Sequence, residues 1–134
     1  MKTDRARRAL EAARAEADRI GKPVSVAIVD AAGLLVLFER LNDARAFTAY
    51  VAEGKACASA FTGRDSGDLQ GMMENYPAFG PALAAKLAGR FVPVRGAVVL
   101  TDPSGVVGAI GVSGATAEED ERIAKAGAAA LGGG

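Results

Sequence analysis

The sequence contains no histidine and no tryptophan, and Cys57 is its only cysteine. The lack of histidine excludes imidazole-based acid–base catalysis, histidine-ligated haem and histidine-containing zinc sites in this chain. A single cysteine cannot form an intrachain disulfide. Any proton transfer must therefore be carried by lysine, tyrosine or carboxylate side chains.

Charge and hydropathy narrow the class of protein further. Lysine plus arginine and aspartate plus glutamate number 16 each, so the balance indicates neither nucleic acid nor an anionic membrane surface as a partner. No apolar run approaches the length of a membrane span, and the charged start lacks the apolar core of a signal peptide. With 134 residues, half of them hydrophobic, the sequence predicts one cytoplasmic domain, residues 1–134, with a substantial core.

Helical spacing marks both ends of the chain. Apolar residues recur every three or four positions over 3–20, which predicts a first helix that ends at Gly21. Further helices are expected over 46–61, around 67–75, from Pro81 to Gly89 and over about 117–130, with Gly132–Gly134 frayed.

Two copies of the pattern D-x-x-G predict two β-hairpins. Asp30 and Gly33, like Asp102 and Gly105, occupy the first and fourth positions of a type I turn. The sequence therefore predicts the α/β class of the α+β type, with a single antiparallel sheet of four to five strands flanked by helices in the order α-β-β-α-α-α-β-β-α. The strands are expected over 24–29, 34–40, 97–101 and 106–113, with a short fifth at 91–94.

The predicted strands carry apolar residues on both faces, so the sheet needs cover on both sides. Helices can cover one face, and a second subunit is the natural cover for any remainder. The sequence therefore predicts a homo-oligomer, a dimer or higher.

The segment 106–116 is the best candidate site in the sequence. Its strand presents Ala109, Gly111 and Ser113 on one face, small enough for a ligand, a helix or a partner to approach the backbone. Thr116 and Glu119 then form a capping box at the start of the last helix, where backbone N–H groups favour an anion. We expect a hollow between this strand and the helix tip, although packing alone also explains small residues.

Two apolar stretches separate the hairpins. The helix over 46–61 carries an apolar stripe that includes Phe47, Tyr50 and Phe61. Residues 71–80 are irregular but rich in methionine, proline and aromatic side chains. Such a segment either plugs the core or lines a pocket or an interface.

Several of these motifs resemble a known family. Residues 23–33 with Phe38-Glu39-Arg40 resemble the first hairpin of the GlcG/HbpS-like family, which includes the C-terminal domain of PduO proteins. The Lys55-Ala56 helix and residues 107–116 with Asp120 match the family's helix and its closing motif. The resemblance spans nearly the whole chain, and the closing motif is its most specific part.

The resemblance implies a compact α/β domain that forms dimers or higher oligomers. Family members are linked to haem binding and haem breakdown, and others occur in small-molecule metabolism without an established reaction. This chain departs from the family because it lacks histidine and has Arg95-Gly96-Ala97-Val98-Val99 in place of the usual Gly-Gly-x-Pro strand. Haem, the one cofactor that the resemblance suggests, would need Tyr50, Tyr76, Cys57 or a methionine as axial ligand.

Three functions follow as hypotheses. The first is an oligomeric small-molecule-binding protein or enzyme whose pocket, between the sheet and the middle helices, takes an anionic or carbonyl compound. The second is a haem- or tetrapyrrole-binding or haem-degrading protein with a non-histidine ligand, and the third is a non-enzymatic oligomeric scaffold. No metal site is predicted. The candidate catalytic residues are Lys55, Glu39 and Tyr76, and the candidate ligand-binding residues are Arg40, Tyr50, Phe61, Gly111, Ser113, Gly114 and Asp120.

Overall fold

A computed structural model describes residues 1–131. In chain order its elements are α1 (Thr3–Ile20), β1 (Ser25–Asp30), β2 (Leu35–Arg40), α2 (Phe47–Thr62), a short 3₁₀ helix (Ser66–Leu69), α3 (Gln70–Asn75), α4 (Phe79–Lys86), β3 (Ala97–Asp102), β4 (Gly105–Ser113) and α5 (Ala117–Ala129). The strands form one antiparallel sheet in the order β2-β1-β4-β3. The predicted fold class and element order are confirmed.

Both predicted turns form, and an aspartate organises each of them. Asp30 Oδ1 accepts the backbone N–H groups of Ala32 and Leu34 at 2.9 and 3.0 Å. Asp102 Oδ1 accepts the N–H of Ser104 at 2.7 Å. Because these carboxylates replace missing backbone partners inside the turns, both aspartates shape the hairpins.

One face of the sheet is covered by α1 and α5. The buried alanines of α1 pack with branched side chains such as Ile110 and Ile123, which form the largest core cluster. Gly127 in α5 brings the two helices close together, since a Cβ added there would lie 2.9 Å from the carbonyl oxygen of Ala9. The alanine-rich stripe of α1 thus lets α5 lie directly beside it.

The other face is covered by α2 at very short range. Ala27 and Ala109 of the sheet contact Ala52 and Ala56 of α2, all fully buried. A Cβ at Gly111 would overlap the carbonyl oxygen of Ala52 and the backbone nitrogen of Ala56. Backbone therefore packs on backbone, and only small side chains fit between α2 and β4.

The predicted fifth strand at 91–94 is wrong. The N–H of Val92 donates to the carbonyl of Gly54, which ties this segment to α2. The outer edge of β3 is also closed, because the N–H groups of Ala97 and Val99 donate to Ser66 Oγ and Asp65 Oδ1 at 2.9 and 3.0 Å. Capped in this way, β3 offers a further strand no free donors at these positions.

Two local predictions also need correction. The helix expected from Pro81 begins two residues earlier, at Phe79. The aromatic side chains of the α2 stripe point to solvent, with Tyr50 79% and Phe61 43% exposed, because the face towards the sheet has room only for alanine, glycine and similar side chains.

The predicted fraying of 132–134 lies outside the described residues. Within residues 1–131, no helix has the length and apolar character needed to cross a membrane.

Gly111→Ala tests the close packing of α2 on β4. The added methyl group overlaps backbone atoms of α2, so we expect the free energy of unfolding to fall by about 3 kcal/mol. Gly71→Ala is the matched control, since a Cβ there meets nothing within 4 Å. The control should be neutral or stabilising by up to about 1 kcal/mol in the same urea titration. Equal stabilities of the two variants would contradict the packing described.

Candidate functional site

A buried ion pair joins three elements at the end of the sheet. Lys55 in α2 is 4% exposed and Asp120 in α5 is 3% exposed. Lys55 Nζ donates to Asp120 Oδ2 at 3.1 Å and to the carbonyl oxygen of Val112 in β4 at 2.9 Å. The second carboxylate oxygen, Oδ1, accepts the N–H of Ala115 at 2.9 Å. The pair therefore links α2, β4 and the start of α5.

The geometry around Lys55 depends on a glycine. Gly96 has a φ of +139°, and a Cβ there would lie 2.5 Å from Lys55 Nζ. Without that Cβ, the lysine reaches past the end of β3 to the helix on the opposite face of the sheet. Burial raises the pKa of Asp120 above its ordinary value, although the Lys55 ammonium and the Ala115 N–H offset part of the effect.

The hollow expected between the end of β4 and the tip of α5 is filled. Helix α2 occupies the space over Gly111, and a Cβ at Gly114 would lie 2.5 Å from the carbonyl oxygen of Pro23. The capping box forms as predicted, because Thr116 Oγ1 accepts the N–H of Glu119 and Glu119 Oε1 accepts the N–H of Thr116. These side chains occupy two of the N–H groups at this helix start, those of Thr116 and Glu119.

The structure brings some of the predicted site residues together and separates the others. Lys55, Asp120, Gly111, Ser113 and Gly114 cluster around the buried pair.

The remaining predicted residues lie in three other places. Glu39 faces α1, where it pairs with Arg14 at 3.5 Å, and Arg40 donates to the carbonyl of Ala44 at 2.7 Å. Tyr50 and Phe61 lie on the outer side of α2, and Tyr76, between α3 and α4, is 66% exposed. The three candidate catalytic residues thus belong to three separate environments.

An apolar concavity lies beside residues 71–80 and follows α3 and α4. It has a volume of about 340 Å³ and is lined by Met73, Pro77, Gly80, Pro81, Ala84, Phe91 and Pro93. Phe79 stacks edge-on against Phe91 at 6.2 Å between ring centroids, which positions α4 against the 91–94 segment. The methionine- and proline-rich stretch 71–80 therefore lines a pocket, one of the alternatives expected from its sequence.

A second concavity adjoins the first one and is more polar. It has a volume of about 440 Å³ and shares Pro93 with its neighbour, and its other lining residues are Gln70, Val94, Arg95 and Ala117. Arg95 is 46% exposed in its side chain and forms loose ion pairs with Glu118 and Glu121 at 3.9 and 3.5 Å. The two concavities border each other at Pro93, one apolar and the other containing Arg95, and we call the pair the α4 groove.

Cys57, also in α2, does not line this groove. Its side chain is fully buried and donates to the carbonyl of Gly33 at 3.2 Å. Burial raises the pKa of the thiol to about 11. The thiolate that would ligate a metal is therefore disfavoured, and within residues 1–131 no three His, Cys, Asp or Glu side chains come together as a metal site.

The sequence did not reveal Arg95 and Phe91 as groove residues. Arg95 precedes β3 by two positions, and nothing local distinguishes it from a surface arginine. Only the packing of α4 against 91–94 shows where both residues lie. The one signal in the sequence was the apolar content of 71–80.

Comparisons with known proteins agree with this architecture. The family model described as haem-degrading protein HbpS-like matches residues 1–129. The chain therefore belongs to the HbpS-like family. Curated protein sequences give no match.

Solved structures of similar proteins extend the comparison. A structure titled PduOC:Heme Complex is 27% identical, with a TM-score of 0.86 over 98% of this chain and 95% of that chain. A crystal structure of HbpS is 29% identical, with a TM-score of 0.87 over 98% and 90% of the two chains. The Klebsiella pneumoniae protein ORFY, 21% identical over 99% and 91%, shares the fold with a TM-score of 0.88.

Removal of one partner of the buried ion pair should be strongly destabilising. Asp120→Ala leaves the ammonium of Lys55 buried without a counter-charge, so we expect a loss of about 3–5 kcal/mol of unfolding free energy. The double variant Lys55→Met/Asp120→Ala should lose less than the sum of the two single variants in a double-mutant cycle. As a control, Lys125→Met removes an exposed pair with Glu121 and should cost less than about 0.5 kcal/mol. Additive losses at Lys55 and Asp120 would contradict the coupling.

Cys57 makes stability depend on pH in the alkaline range. The folded pKa of about 11 exceeds the ordinary value of 9.0, so the native state keeps a proton that the unfolded state loses. The contribution is complete below pH 9 and is lost as the pH rises towards 11, by up to about 1.4 kcal/mol per pH unit. Compared with Cys57→Ala, the wild type should therefore lose unfolding free energy between pH 9 and pH 11. Parallel pH profiles would contradict a buried thiol.

Proposed function

We propose that this protein is an oligomeric binding protein for an amphipathic anion, and that the ligand lies in the α4 groove. The observation that carries the proposal is that an apolar concavity of about 340 Å³ and a second one that contains Arg95 lie side by side at Pro93. Ligand sites commonly combine an apolar lining with a few placed polar groups. A ligand with a flat apolar body and a carboxylate at one end matches this arrangement.

The apolar end of the groove supplies the area for binding. Met73, Ala84 and Phe91 present side-chain carbon and sulfur. Met73 can adjust to the ligand, since methionine is flexible and polarisable and packs favourably against aromatic rings.

The polar end of the groove supplies selectivity for a negative charge. Arg95 Nε lies 3.5 Å from Glu121 Oε2, and its Nη1 lies 3.9 Å from Glu118 Oε1. These distances are long for charge-assisted hydrogen bonds. A ligand carboxylate can therefore replace Glu118 at the guanidinium without breaking a tight bond.

Haem is the example that the relatives supply, because one of them is a haem complex by its title. The groove fits the organic part of haem better than its iron: Met73 is the one lining side chain with a donor atom suited to iron, and the chain has no histidine. When bound, haem would supply redox-active iron. Met73 would face the ring, and Arg95 would hold a propionate.

The protein is proposed to act as a homo-oligomer in the cytoplasm. Exposed apolar side chains along β2 and α2 support the oligomer, with Leu35 49% and Tyr50 79% exposed. The cytoplasmic location stays a prediction from the sequence.

Titration with haemin and with iron-free protoporphyrin tests the proposal. We expect both pigments to bind with dissociation constants within about tenfold of each other, because ring burial and carboxylate pairing rather than iron ligation supply the affinity. Absorbance and fluorescence quenching give the two constants. Binding of haemin alone would overturn the assignment of recognition to the ring, and no binding of either pigment would overturn the proposed ligand class.

Two alanines of α4 provide a matched pair of variants. Ala84 lines the groove, whereas its neighbour Ala85 is exposed and lies outside the lining. Ala84→Phe should fill the groove and weaken pigment binding at least tenfold, and Ala85→Phe should leave it unchanged. Arg95→Gln should weaken binding about fivefold or more, with the α1 surface variant Arg7→Gln as its control. Equal affinities of the Ala84 and Ala85 variants would place the ligand elsewhere.

A further inference from the structure

The two edge strands of the sheet, β3 and β2, differ in whether side chains accept hydrogen bonds from their outward N–H groups. At the β3 edge, Ser66 Oγ and Asp65 Oδ1 accept the outward N–H groups of Ala97 and Val99. Among residues 1–131, no side chain caps the β2 edge in this way. The N–H of Leu41 donates to the carbonyl of Val24, and the antiparallel register then turns alternate residues of β2 outward.

A bulge interrupts β2 at Val36, where the β1–β2 register shifts between Ile28 and Val29 and both Val36 and Leu37 pack on the core. Beyond the bulge, the outward residues of β2 are Phe38 and Arg40. In the described part of the chain, no hydrogen bond caps their backbone N–H and C=O groups. An open strand edge is a template for pairing with another strand. The molecule thus closes one edge of its sheet and leaves the other edge open.

Apolar side chains accompany the open edge. We define the edge patch as Leu34, Leu35, Phe38, Tyr50 and Phe61, which are 55%, 49%, 37%, 79% and 43% exposed. At about 200 Å² for each large side chain, the patch exposes roughly 500 Å². A standard interface buries about 800 Å² on each partner. The patch therefore supplies more than half of one side of an interface before any backbone is counted.

The residues of β2 are compatible with antiparallel pairing between the β2 strands of two copies of this chain. In an antiparallel pair centred on Phe38, the two Phe38 residues lie opposite each other, and Arg40 lies opposite the bulge at Val36 of the second copy. Phe38 has outward N–H and C=O groups in both copies, so the central pair can exchange two hydrogen bonds. Glu39 then lies opposite Leu37 rather than opposite a second Glu39, which avoids a like-charge pair.

The charges beside the patch are also complementary under this symmetry. Glu53 lies with Leu35 and Phe38 along a shallow groove between β2 and α2, at the end of β2 away from Arg40. A two-fold axis at Phe38 brings Arg40 of one copy towards Glu53 of the other. In the described residues neither side chain has an ion-pair partner within its own subunit.

We propose that β2 is the dimerisation edge of this protein: two copies pair their β2 strands antiparallel about Phe38 and form one continuous eight-stranded sheet. The occupant of the open edge is a second copy of this chain. This dimer is the oligomer named in the proposed function, but its formation does not depend on whether a ligand binds in the α4 groove. The edge patch shares no residue with the lining of the α4 groove, so the β2 pairing does not use groove residues.

Sedimentation and hydrogen exchange test the proposal on the intact chain. Sedimentation from about 1 to 100 µM should show a dimer, or a larger assembly with an even number of subunits. Phe38→Lys should raise the dimer dissociation constant at least tenfold. Val106→Lys is the control, because Val106 is similarly exposed, at 36%, but lies beside the other hairpin turn. An unchanged mass of the Phe38 variant at all concentrations would overturn the proposal.

Hydrogen exchange on the wild type decides the case even if the Phe38 variant fails to fold. The amides of Phe38 and Arg40 should exchange slowly in the oligomer and at least tenfold faster when dilution gives monomer. The amides of Leu37 and Glu39, which face β1, should stay protected in both states. A monomeric wild type would overturn both the oligomer and its edge. An oligomer with fast exchange at Phe38 and Arg40 would overturn the edge alone.

Discussion

The buried pair of Lys55 and Asp120 is the interaction on which the arrangement of layers depends. Helix α2 covers one face of the sheet and α5 covers the other, and this pair passes the end of β3 to join them. Two buried charges are tolerable only together, because each satisfies the other in a region of low dielectric. Because Gly96 has no Cβ, the Lys55 side chain can pass beside it. Because Gly111 has no Cβ, α2 can pack close enough to β4 for Lys55 to reach Asp120.

This constraint explains where a ligand can bind and where it cannot. The backbone of α2 packs directly on Gly111, and Lys55 packs against Gly96. The space between α2 and the sheet is therefore filled by protein atoms at these positions. The accessible concavities lie at the periphery, along α3, α4 and the segment that leads into β3. Membership of the HbpS-like family agrees with a small-molecule role. The absence of histidine from this chain shifts the expected recognition from the metal to the body and charge of the ligand.

The sequence was informative wherever the signal was local. The D-x-x-G turns at Asp30 and Asp102, the Thr116 capping box and the alanine spacing of α1 each act over a few residues, and each is present as expected. The orientation of α2 was not predictable from its own pattern, because its aromatic stripe is the stronger hydrophobic signal. What turns that stripe outward is the small-residue face of β4, more than 45 positions away. Lys55 and Asp120 were both singled out in the sequence, but their pairing is tertiary, and so is the position of Arg95.

A carboxyl NMR titration of Asp120, read together with the amide of Ala115, tests the central claim most directly. Asp120 Oδ1 accepts the Ala115 N–H, and burial holds the carboxyl pKa above its ordinary value of 3.8. The account predicts a midpoint above 3.8 and an Ala115 amide shift that follows the same curve. An Ala115 amide that does not follow the Asp120 titration would contradict the buried contacts through which Asp120 joins the two helical layers.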